Sequence, residues 1–367
     1  MKKNILILFI LCALLCGCNK NKGMGTYIDY NYMFREGTGV VSMTAAEKGY
    51  YFAMNDKLYY ADADTMKIVP VCSKVDCLHE AKPQCDAYIG ESLSWFGYVQ
   101  YYDGYVYTVS DMGMNDSNYY LWRISTDGTR KEKILKINSL DNVVMHHGYI
   151  FYIECIYDID GGPNEQIIYK VNLSDNKKEI VYNTSGELYD MAAYRDYVYF
   201  AVYESEDAGV YAYNIKSGSI IKAEMPEGAV DMRSIQFMND KLIFTYWYSS
   251  GDERNCRIYS SNLDFKNREE LFRMKNSYNR IGCDNRYIYE DNYMNKDVYK
   301  NNLYNRSMTI YDINGNLIDS VDIGNTGTYC SGYGDDNYVF VRTEESIYYF
   351  DKKEIGTGNI QVKTLRG

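Results

Sequence analysis

The stretch DGYVY, residues 103–107, contains the pattern that decides the fold. Turn-forming residues are followed by a tyrosine or aliphatic residue, a second apolar residue and an aromatic ring. The pattern recurs at KGYYF (48–52), HGYIF (147–151), RDYVY (195–199), DKLIF (240–244), NRYIY (285–289) and DNYVF (336–340). The last aromatics of successive copies, from Phe52 to Phe340, lie 44 to 55 residues apart. A repeat of this length built from short strands is typical of β-propeller blades.

A second pattern follows the first within each unit. LWRISTDG (121–128) and IYDINGN (310–316) are alternating strands that run into turn signals, of which Asn314-Gly315 is the strongest. One further short strand on either side gives four antiparallel strands, named A to D from the axis outward. We therefore predict an all-β, seven-bladed β-propeller. The blades are expected to begin near residues 39, 95, 141, 187, 231, 277 and 327, with six or eight blades as the alternative.

Two segments compete for the outermost strand of the last blade. Residues Thr26–Tyr32 alternate strongly and would close the ring from the N-terminal side. Residues Asn359–Leu365 would instead complete the blade from within the same repeat. Either arrangement protects strand edges that would otherwise pair between chains.

The N-terminus has the pattern of an export signal. Lys2 and Lys3 precede an apolar run that is too short to span a bilayer comfortably. The run ends at Leu15-Cys16-Gly17-Cys18, which resembles the bacterial lipobox. That resemblance implies that residues 1–17 are a lipoprotein signal peptide and that Cys18 is lipidated. An uncleaved N-terminal helix is the alternative.

The rest of the chain reads as one domain on a tether. Residues 18–25 are polar and contain glycine, and residues 26–367 form the predicted single propeller domain. The expected location is the outer face of the cytoplasmic membrane. Loss of Lys2 and Lys3 with the signal takes the formal net charge from −11 to −13. Such an acidic body disfavours nucleic acid and suits cations or basic peptides as partners.

The segment CSKVDCLHEAKPQC, residues 72–85, concentrates metal-binding chemistry. Cys72, Cys77, His79 and Cys85 provide three thiolates and one imidazole, a complete tetrahedral set for a structural zinc or another soft metal ion. A disulfide, Cys72–Cys85 or Cys77–Cys85, is the main alternative outside the cell, and a redox or nucleophilic role is a third. The segment is expected between strand D of blade 1 and strand A of blade 2. Either staple would hold this long crossover against its blades.

The other cysteines are scattered along the predicted strands. We expect Cys155, Cys256, Cys283 and Cys330 to be small core residues, with a Cys283–Cys330 pair as an alternative.

Acidic loops suggest a binding face. The predicted B–C loops lie on the same face as the crossovers, and most are acidic. The candidate binding residues on this face are Asp158, Asp160, Glu204, Glu206, Trp247 and Tyr248. Carboxylates edged with aromatic rings suit a basic peptide, a cation or a carbohydrate.

One part of the chain carries a family resemblance. LWRISTDGTRKEKI, residues 121–134, resembles the strand, Asp-Gly turn and strand of propellers related to the YWTD domains of lipoprotein receptors. The resemblance covers most of residues 40–360 and implies membership of a group of secreted and lipid-anchored bacterial proteins. That group often has a Cys–Asp-Cys–His–Cys segment, matched here by Asp76-Cys77, His79 and Cys85–Tyr88. The resemblance does not specify the chemistry of that segment.

Three functional hypotheses follow. The first is a non-enzymatic binding or scaffolding module at the cell surface, with a protein, peptide or carbohydrate ligand. The second is a carbohydrate-active hydrolase or lyase that uses carboxylates at the axial mouth. The third is a metal-binding sensor or carrier. No serine nucleophile elbow accompanies His146 and His147, so enzyme activity is left open with a preference against it.

Overall fold

The structure, a computed structural model, describes residues 43–80, 83–90, 98–111, 119–137, 143–157, 163–203, 205–250, 253–274, 280–291, 305–325, 330–343 and 346–365. These residues form seven four-stranded antiparallel sheets, each made of four consecutive strands. The fold is therefore the predicted seven-bladed β-propeller. Within these ranges no helix is both long and apolar enough to cross a membrane.

The first four blades contain strands β1 to β16. Blade 1 has β1 (Met43–Ala46), β2 (Gly49–Met54), β3 (Lys57–Asp62) and β4 (Ile68–Pro70). Blade 2 has β5 (Val99–Tyr102), β6 (Tyr105–Ser110), β7 (Tyr119–Ser125) and β8 (Lys131–Ile137). Blade 3 has β9 (Val143–His146), β10 (Tyr149–Tyr157), β11 (Pro163–Asn172) and β12 (Lys178–Thr184). Blade 4 has β13 (Glu187–Tyr194), β14 (Tyr197–Tyr203), β15 (Gly209–Asn214) and β16 (Ile220–Lys222).

The last three blades contain strands β17 to β28. Blade 5 has β17 (Ala229–Met238), β18 (Lys241–Ser250), β19 (Glu253–Ser261) and β20 (Glu269–Met274). Blade 6 has β21 (Arg280–Cys283), β22 (Ile288–Asp291), β23 (Asn305–Tyr311) and β24 (Leu317–Asn325). Blade 7 has β25 (Cys330–Gly334), β26 (Tyr338–Thr343), β27 (Ile347–Asp351), a 3-10 turn (Lys352–Glu354) and β28 (Lys363–Leu365).

The repeat that predicts the blades is also their core. The last aromatic of each copy lies in strand B and is at most 2% exposed. It is buried because strand B packs against the neighbouring blades. The described core residues group into clusters that lie between adjacent blades, one for each of the seven junctions. The inner strands begin within four residues of the predicted blade starts.

Asx turns explain why strand C of most blades stops where it does. Asp62, Asn172, Asn214 and Asp351 end their C strands, and Asp312 directly follows its own. In each case Oδ1 accepts a backbone N–H from two or three residues later. Short Asp and Asn side chains satisfy the backbone in this way and so replace the sheet ladder with a turn. The same chemistry recurs at the same point of the repeat.

The propeller has two faces with different constructions. The crossover face holds the B–C loops and the connections from strand D to the next strand A. The turn face holds the A–B and C–D turns. On the turn face a hydrogen bond joins every pair of adjacent blades, and we call this set the turn-face ring. Its members are Tyr101–Glu47, Gly148–Tyr102, His146–Arg195, Tyr194–Asp240, Asn239–Asn285, Lys352–Asp284 and Tyr50–Asp335.

Blade 7 is completed from its own repeat. Strand β28 pairs with β27 at Ile347–Leu365, Tyr348–Thr364 and Tyr349–Lys363. Of the two expected arrangements, the one that uses the segment Asn359–Leu365 is therefore confirmed. The competing segment, Thr26–Tyr32, lies outside the described residues.

Candidate metal centre in the first crossover

The segment 72–85 lies where the sequence predicts it, between β4 and β5 on the crossover face. Backbone hydrogen bonds fix both of its ends to blade 1. Val71 N donates to Leu58 O at 2.9 Å, and Leu58 N donates to Ala87 O at 2.8 Å. Ile89 N then donates to Asp56 O at 2.8 Å. The crossover thus leaves and rejoins the same corner of blade 1, which closes the segment into a loop.

Two local features fold the loop inward. Cys77 N donates to Lys74 O at 3.4 Å, which makes a turn with Val75 and Asp76 at its tip. His79 then adopts a left-handed backbone conformation with φ of 54°. This reversal brings the imidazole back toward the cysteines. As a result, the ligand atoms of Cys72, Cys77, His79 and Cys85 all lie within 4.8 Å of one another.

The three cysteines are thiols. None of them is paired in a disulfide, so the disulfide prediction is wrong for this structure. Spacing alone could not decide this point. A metal site differs from a disulfide here because the imidazole converges with all three sulfurs. Four soft donors therefore surround one point, whereas a disulfide would place two sulfurs side by side.

The local environment stabilises negative charge on sulfur unequally. Burial raises the pKa of the Cys72 thiol, but the backbone N–H groups of Lys74 and Asp86 outweigh it and hold that pKa below its ordinary value. His79 N donates to Cys77 Sγ at 3.4 Å. Cys85 is only 3% exposed, and burial raises its pKa to about 11. A thiol this costly to ionise alone gains most from a cation beside it, because metal binding displaces the proton.

Lysines surround the cluster. Lys57 Nζ donates to His79 O at 2.8 Å, Lys74 Nζ lies 2.9 Å from the Asp86 carboxylate, and Lys131 Nζ donates to Tyr88 O at 2.6 Å. Three thiolates, a neutral imidazole and a divalent cation sum to one negative charge, which the Lys57 and Lys131 ammonium groups offset, since Lys74 is paired with Asp86. The sequence gives no signal for Lys57 or Lys131, because both come from other strands.

The loop also contacts blade 2. Lys131 begins β8, and Ser110 at the end of β6 donates to Ile89 O. Beside them, Gly128 packs so closely against Val71 O that a Cβ there would lie 2.3 Å from that oxygen. Below the cluster, Cys85 packs with Ala87 and Tyr88 in a small apolar group. The centre therefore spans the junction of blades 1 and 2.

The arrangement suits a closed structural ion. Four protein ligands complete a tetrahedron and leave no position open for a substrate or water. The donor set therefore favours a role in holding the crossover, as the sequence predicts, over nucleophilic catalysis.

Three of the six residues predicted on the binding face, Asp158, Asp160 and Glu204, lie outside the described ranges. The predicted lipidation site Cys18 also lies outside them. Glu206 is exposed.

The two aromatic residues predicted at the rim are instead buried. Trp247 and Tyr248 are each 8% exposed and pack into the cores on opposite sides of blade 5. The Tyr248 hydroxyl lies 3.0 Å from that of Tyr259. The prediction of an exposed aromatic edge is wrong for these rings because β18 continues to Ser250, so both belong to the strand interior.

Other candidate groups have structural partners. Cys256 and Cys283 are buried, unpaired in any disulfide and part of the core between blades 5 and 6, which excludes the Cys283–Cys330 pair. His146 Nε2 lies 2.6 Å from Arg195 O in the turn-face ring. Buried Asp291 is bound by Arg306, and Glu290 accepts from the Tyr311 hydroxyl.

Comparison with known proteins supports the fold. No protein-family model matches the chain, and no curated protein matches its sequence. Among solved structures, oligogalacturonate lyase from Vibrio parahaemolyticus is 12% identical with a TM-score of 0.54, over 92% of this chain and 91% of that chain. The β-propeller domain of the Trilobed protease from Pyrococcus furiosus is 9% identical with a TM-score of 0.50, over 92% and 98%.

Other similar structures are parts of larger proteins. The tricorn protease is 10% identical with a TM-score of 0.54. The match covers 93% of this chain, which spans only 36% of the tricorn protease chain. At such identities these likenesses show the fold alone. In this chain the described part of the last blade consists of four consecutive strands.

Proposed function

We propose that this protein is a lipid-anchored, extracytoplasmic propeller that acts as a non-enzymatic binding or scaffolding module. The lipobox-like segment ending at Cys18 supports the anchor. The observation that supports a non-enzymatic role is the closed set of Cys72, Cys77, His79 and Cys85. Four protein ligands suit an ion that cross-links the loop and leave no open position for a reaction. We extend the proposal to kinship with the YWTD-like bacterial propellers. Strands β7 and β8 flank the Asp-Gly turn on which that resemblance rests.

Zinc is the ion we propose for the centre. Three sulfur donors and one imidazole exclude the hard cations calcium and magnesium, and a tetrahedral set matches the geometry that zinc adopts. Cys72, Cys77, His79 and Cys85 would hold the ion, which would supply charge and cross-linking rather than a reaction. The burial of Cys85 argues against a carrier that exchanges its metal freely.

Metal analysis tests the centre directly. Purified protein should contain one equivalent of zinc, and after chelation and unfolding all seven cysteines that follow Cys18 should react as thiols. Absence of zinc, together with two missing thiols, would overturn the proposal.

A matched pair of variants tests the anchor. Cys18→Ser should release the protein from the membrane fraction, because no acyl chain can then be attached. Cys16→Ser serves as the control, since that residue belongs to the segment removed with the signal. Release by both variants, or by neither, would contradict lipidation at Cys18.

Ligand screening addresses the binding role. Glycan arrays and arrays of basic peptides should yield a ligand, since the mature chain is acidic. Cleavage of a polysaccharide with no stable binding on either array would favour the hydrolase or lyase hypothesis instead. The described carboxylates Glu290 and Asp291 do not favour it, because Tyr311 and Arg306 already engage them.

A further inference from the structure

The tip of the metal-binding loop presents two aliphatic side chains to solvent. Val75 is 97% exposed and Leu78 is 84% exposed, the two highest values among the exposed large hydrophobic residues of the described chain. They flank Asp76 and Cys77, so the same turn that delivers a ligand to the metal also projects both side chains outward. Isolated exposed apolar residues are common on proteins, but two such residues on one cross-linked tip need a reason.

The tip is held in place from below. Cys77 and His79 lie on either side of Leu78 and both point into the cluster. Lys57 from β3 donates to His79 O. A tip fixed in this way loses little conformational entropy when it makes contact, so even a small apolar area contributes to binding.

The first described strand begins on the same face. In β1, Met43 pairs with Phe52 near the end of β2, beside the turn at Asn55 and Asp56. The base of the loop is bonded to that same turn through Ile89 and Asp56. Blade 1 is four strands wide, so chain entry and loop base are separated by roughly 15 Å.

The anchor keeps a bilayer within reach of this face. Residues 19–42 separate Cys18 from Met43, and 24 residues span at most about 80 Å. A lipid anchor joined to the start of blade 1 on the crossover face brings the membrane surface within reach of that face. Because the proposed anchor tethers lipid within reach of the tip, the geometry favours lipid as its contact.

We propose that Val75 and Leu78 insert into the interfacial layer of the bilayer and hold blade 1 against it. This inference rests on the proposed lipidation of Cys18. The Lys74 ammonium is paired with Asp86, and Asp76 and Glu80 at the tip and the acidic body keep the contact shallow. The metal ion and the acyl chains thereby act together to set the orientation of the propeller.

Depth-dependent fluorescence quenching tests the proposal. Full-length, lipidated, zinc-loaded protein is reconstituted into phosphatidylcholine vesicles that carry bromine near the head groups, with tryptophan introduced as Leu78→Trp. The control is Leu317→Trp, because Leu317 is 64% exposed and begins β24 on the opposite, turn face. After subtraction of the parent signal, we expect quenching at position 78 to be at least threefold greater than at position 317 (an order-of-magnitude expectation for a buried against an exposed ring).

The outcomes separate this inference from the anchor. If both variants float with the vesicles but are quenched equally, bilayer docking is overturned, and a protein partner becomes the better explanation of the tip. If neither variant floats, the proposed lipidation fails, and docking fails with it. Chelation of the metal should lower quenching at position 78 to the level of the control, and unchanged quenching would overturn the role of the metal in presenting the tip.

Discussion

Blade 1 meets blade 2 across a crossover of 28 residues, and it meets blade 7 without a chain connection among the described residues. At the first junction the loop 72–85 adds four metal-binding groups and several backbone hydrogen bonds. At the second junction the hydrogen bonds between described residues use side-chain partners. Tyr50 donates to Asp335 at 2.6 Å, and Ala45 N donates to the Tyr333 hydroxyl at 2.8 Å. Both junctions bury aromatic and aliphatic side chains of blade 1.

The difference shows that the two junctions of blade 1 are stabilised in different ways. A long connection has a high conformational entropy when free, so a cross-link within it restricts the unfolded chain most. A junction without a connection cannot use that device and depends on packing and on buried, directed hydrogen bonds. The stability of the first junction should therefore depend on the metal ion, and the stability of the last junction should depend on single hydroxyl groups.

The largest expected effect comes from removing a metal ligand. Cys85→Ser replaces the most buried ligand, and we expect metal affinity to fall at least about a hundredfold, which corresponds to about 2.7 kcal/mol of stability. Urea unfolding with and without chelator measures the loss. Cys256→Ser is the control, since that buried thiol lies in blade 5 and should retain the metal. Equal sensitivity of both variants to chelator would contradict the assignment of the centre.

A glycine pair tests the contact of the two blades beside the centre. Gly128 and Gly218 occupy corresponding C–D turns with φ of 77° and 72°, so alanine costs each about 1 kcal/mol from backbone strain. Only at Gly128 does the new Cβ meet Val71 O, while Gly218 has open space. We expect Gly128→Ala to lower the free energy of unfolding by about 2 kcal/mol more than Gly218→Ala. An equal loss of unfolding free energy in the two variants would show that the contact between Gly128 and Val71 adjusts without strain.

The last junction should depend on one hydroxyl. Burial and the neighbouring Asp335 carboxylate raise the pKa of Tyr50 far above its ordinary value, so its hydroxyl remains a donor. We expect Tyr50→Phe to cost about 2 kcal/mol, since the acceptor is charged. Tyr199→Phe is the control, because that buried hydroxyl donates to the neutral Leu263 O and should cost about 1 kcal/mol. The comparison of junctions weakens if the two urea midpoints shift equally.

The smallest effect is a pH dependence at the first junction. The Ser125 hydroxyl and the backbone N–H and hydroxyl of Thr129 hold the pKa of Asp127 at about 2, below its ordinary value of 3.8. Because the folded pKa is the lower one, the stabilisation is present above about pH 4 and is lost as the pH falls through 2. Its size is small because the carboxylate is exposed. Thermal unfolding of Asp127→Asn should lack this acid-side slope, and an identical slope in both proteins would assign it elsewhere.

The sequence was sufficient to predict the blades but not the interactions that hold adjacent blades together. The recurring aromatic of the B strand marks each blade, because it is a local pattern that every blade needs for the same core. The bonds of the turn-face ring, such as Tyr50–Asp335, join residues far apart in sequence and leave no periodic trace. The spacing of Cys72, Cys77, His79 and Cys85 allowed several chemistries. Only the left-handed backbone of His79 brings the imidazole among the thiols.

The wrong prediction at Trp247 and Tyr248 has a related cause. Alternation along β18 sends successive side chains into the cores of two different blade junctions, so a ring near the end of a strand is not thereby at the surface. Sequence shows where a strand begins more clearly than where it ends. The length of β18 depends on its ladder with β19, which continues from Leu242 to Ser250.

Each blade is a single uninterrupted piece of chain, and no described strand is shared between blades. The order of the blades in the gene therefore follows their order around the axis, and only the point at which the circle is opened can change. A circularly permuted gene that begins at blade 5 and joins Leu365 to Met43 through a linker encodes the same set of neighbours. In such a molecule the gap closed by Tyr50 and Asp335 would become a peptide connection, and an ordinary crossover would become the new opening.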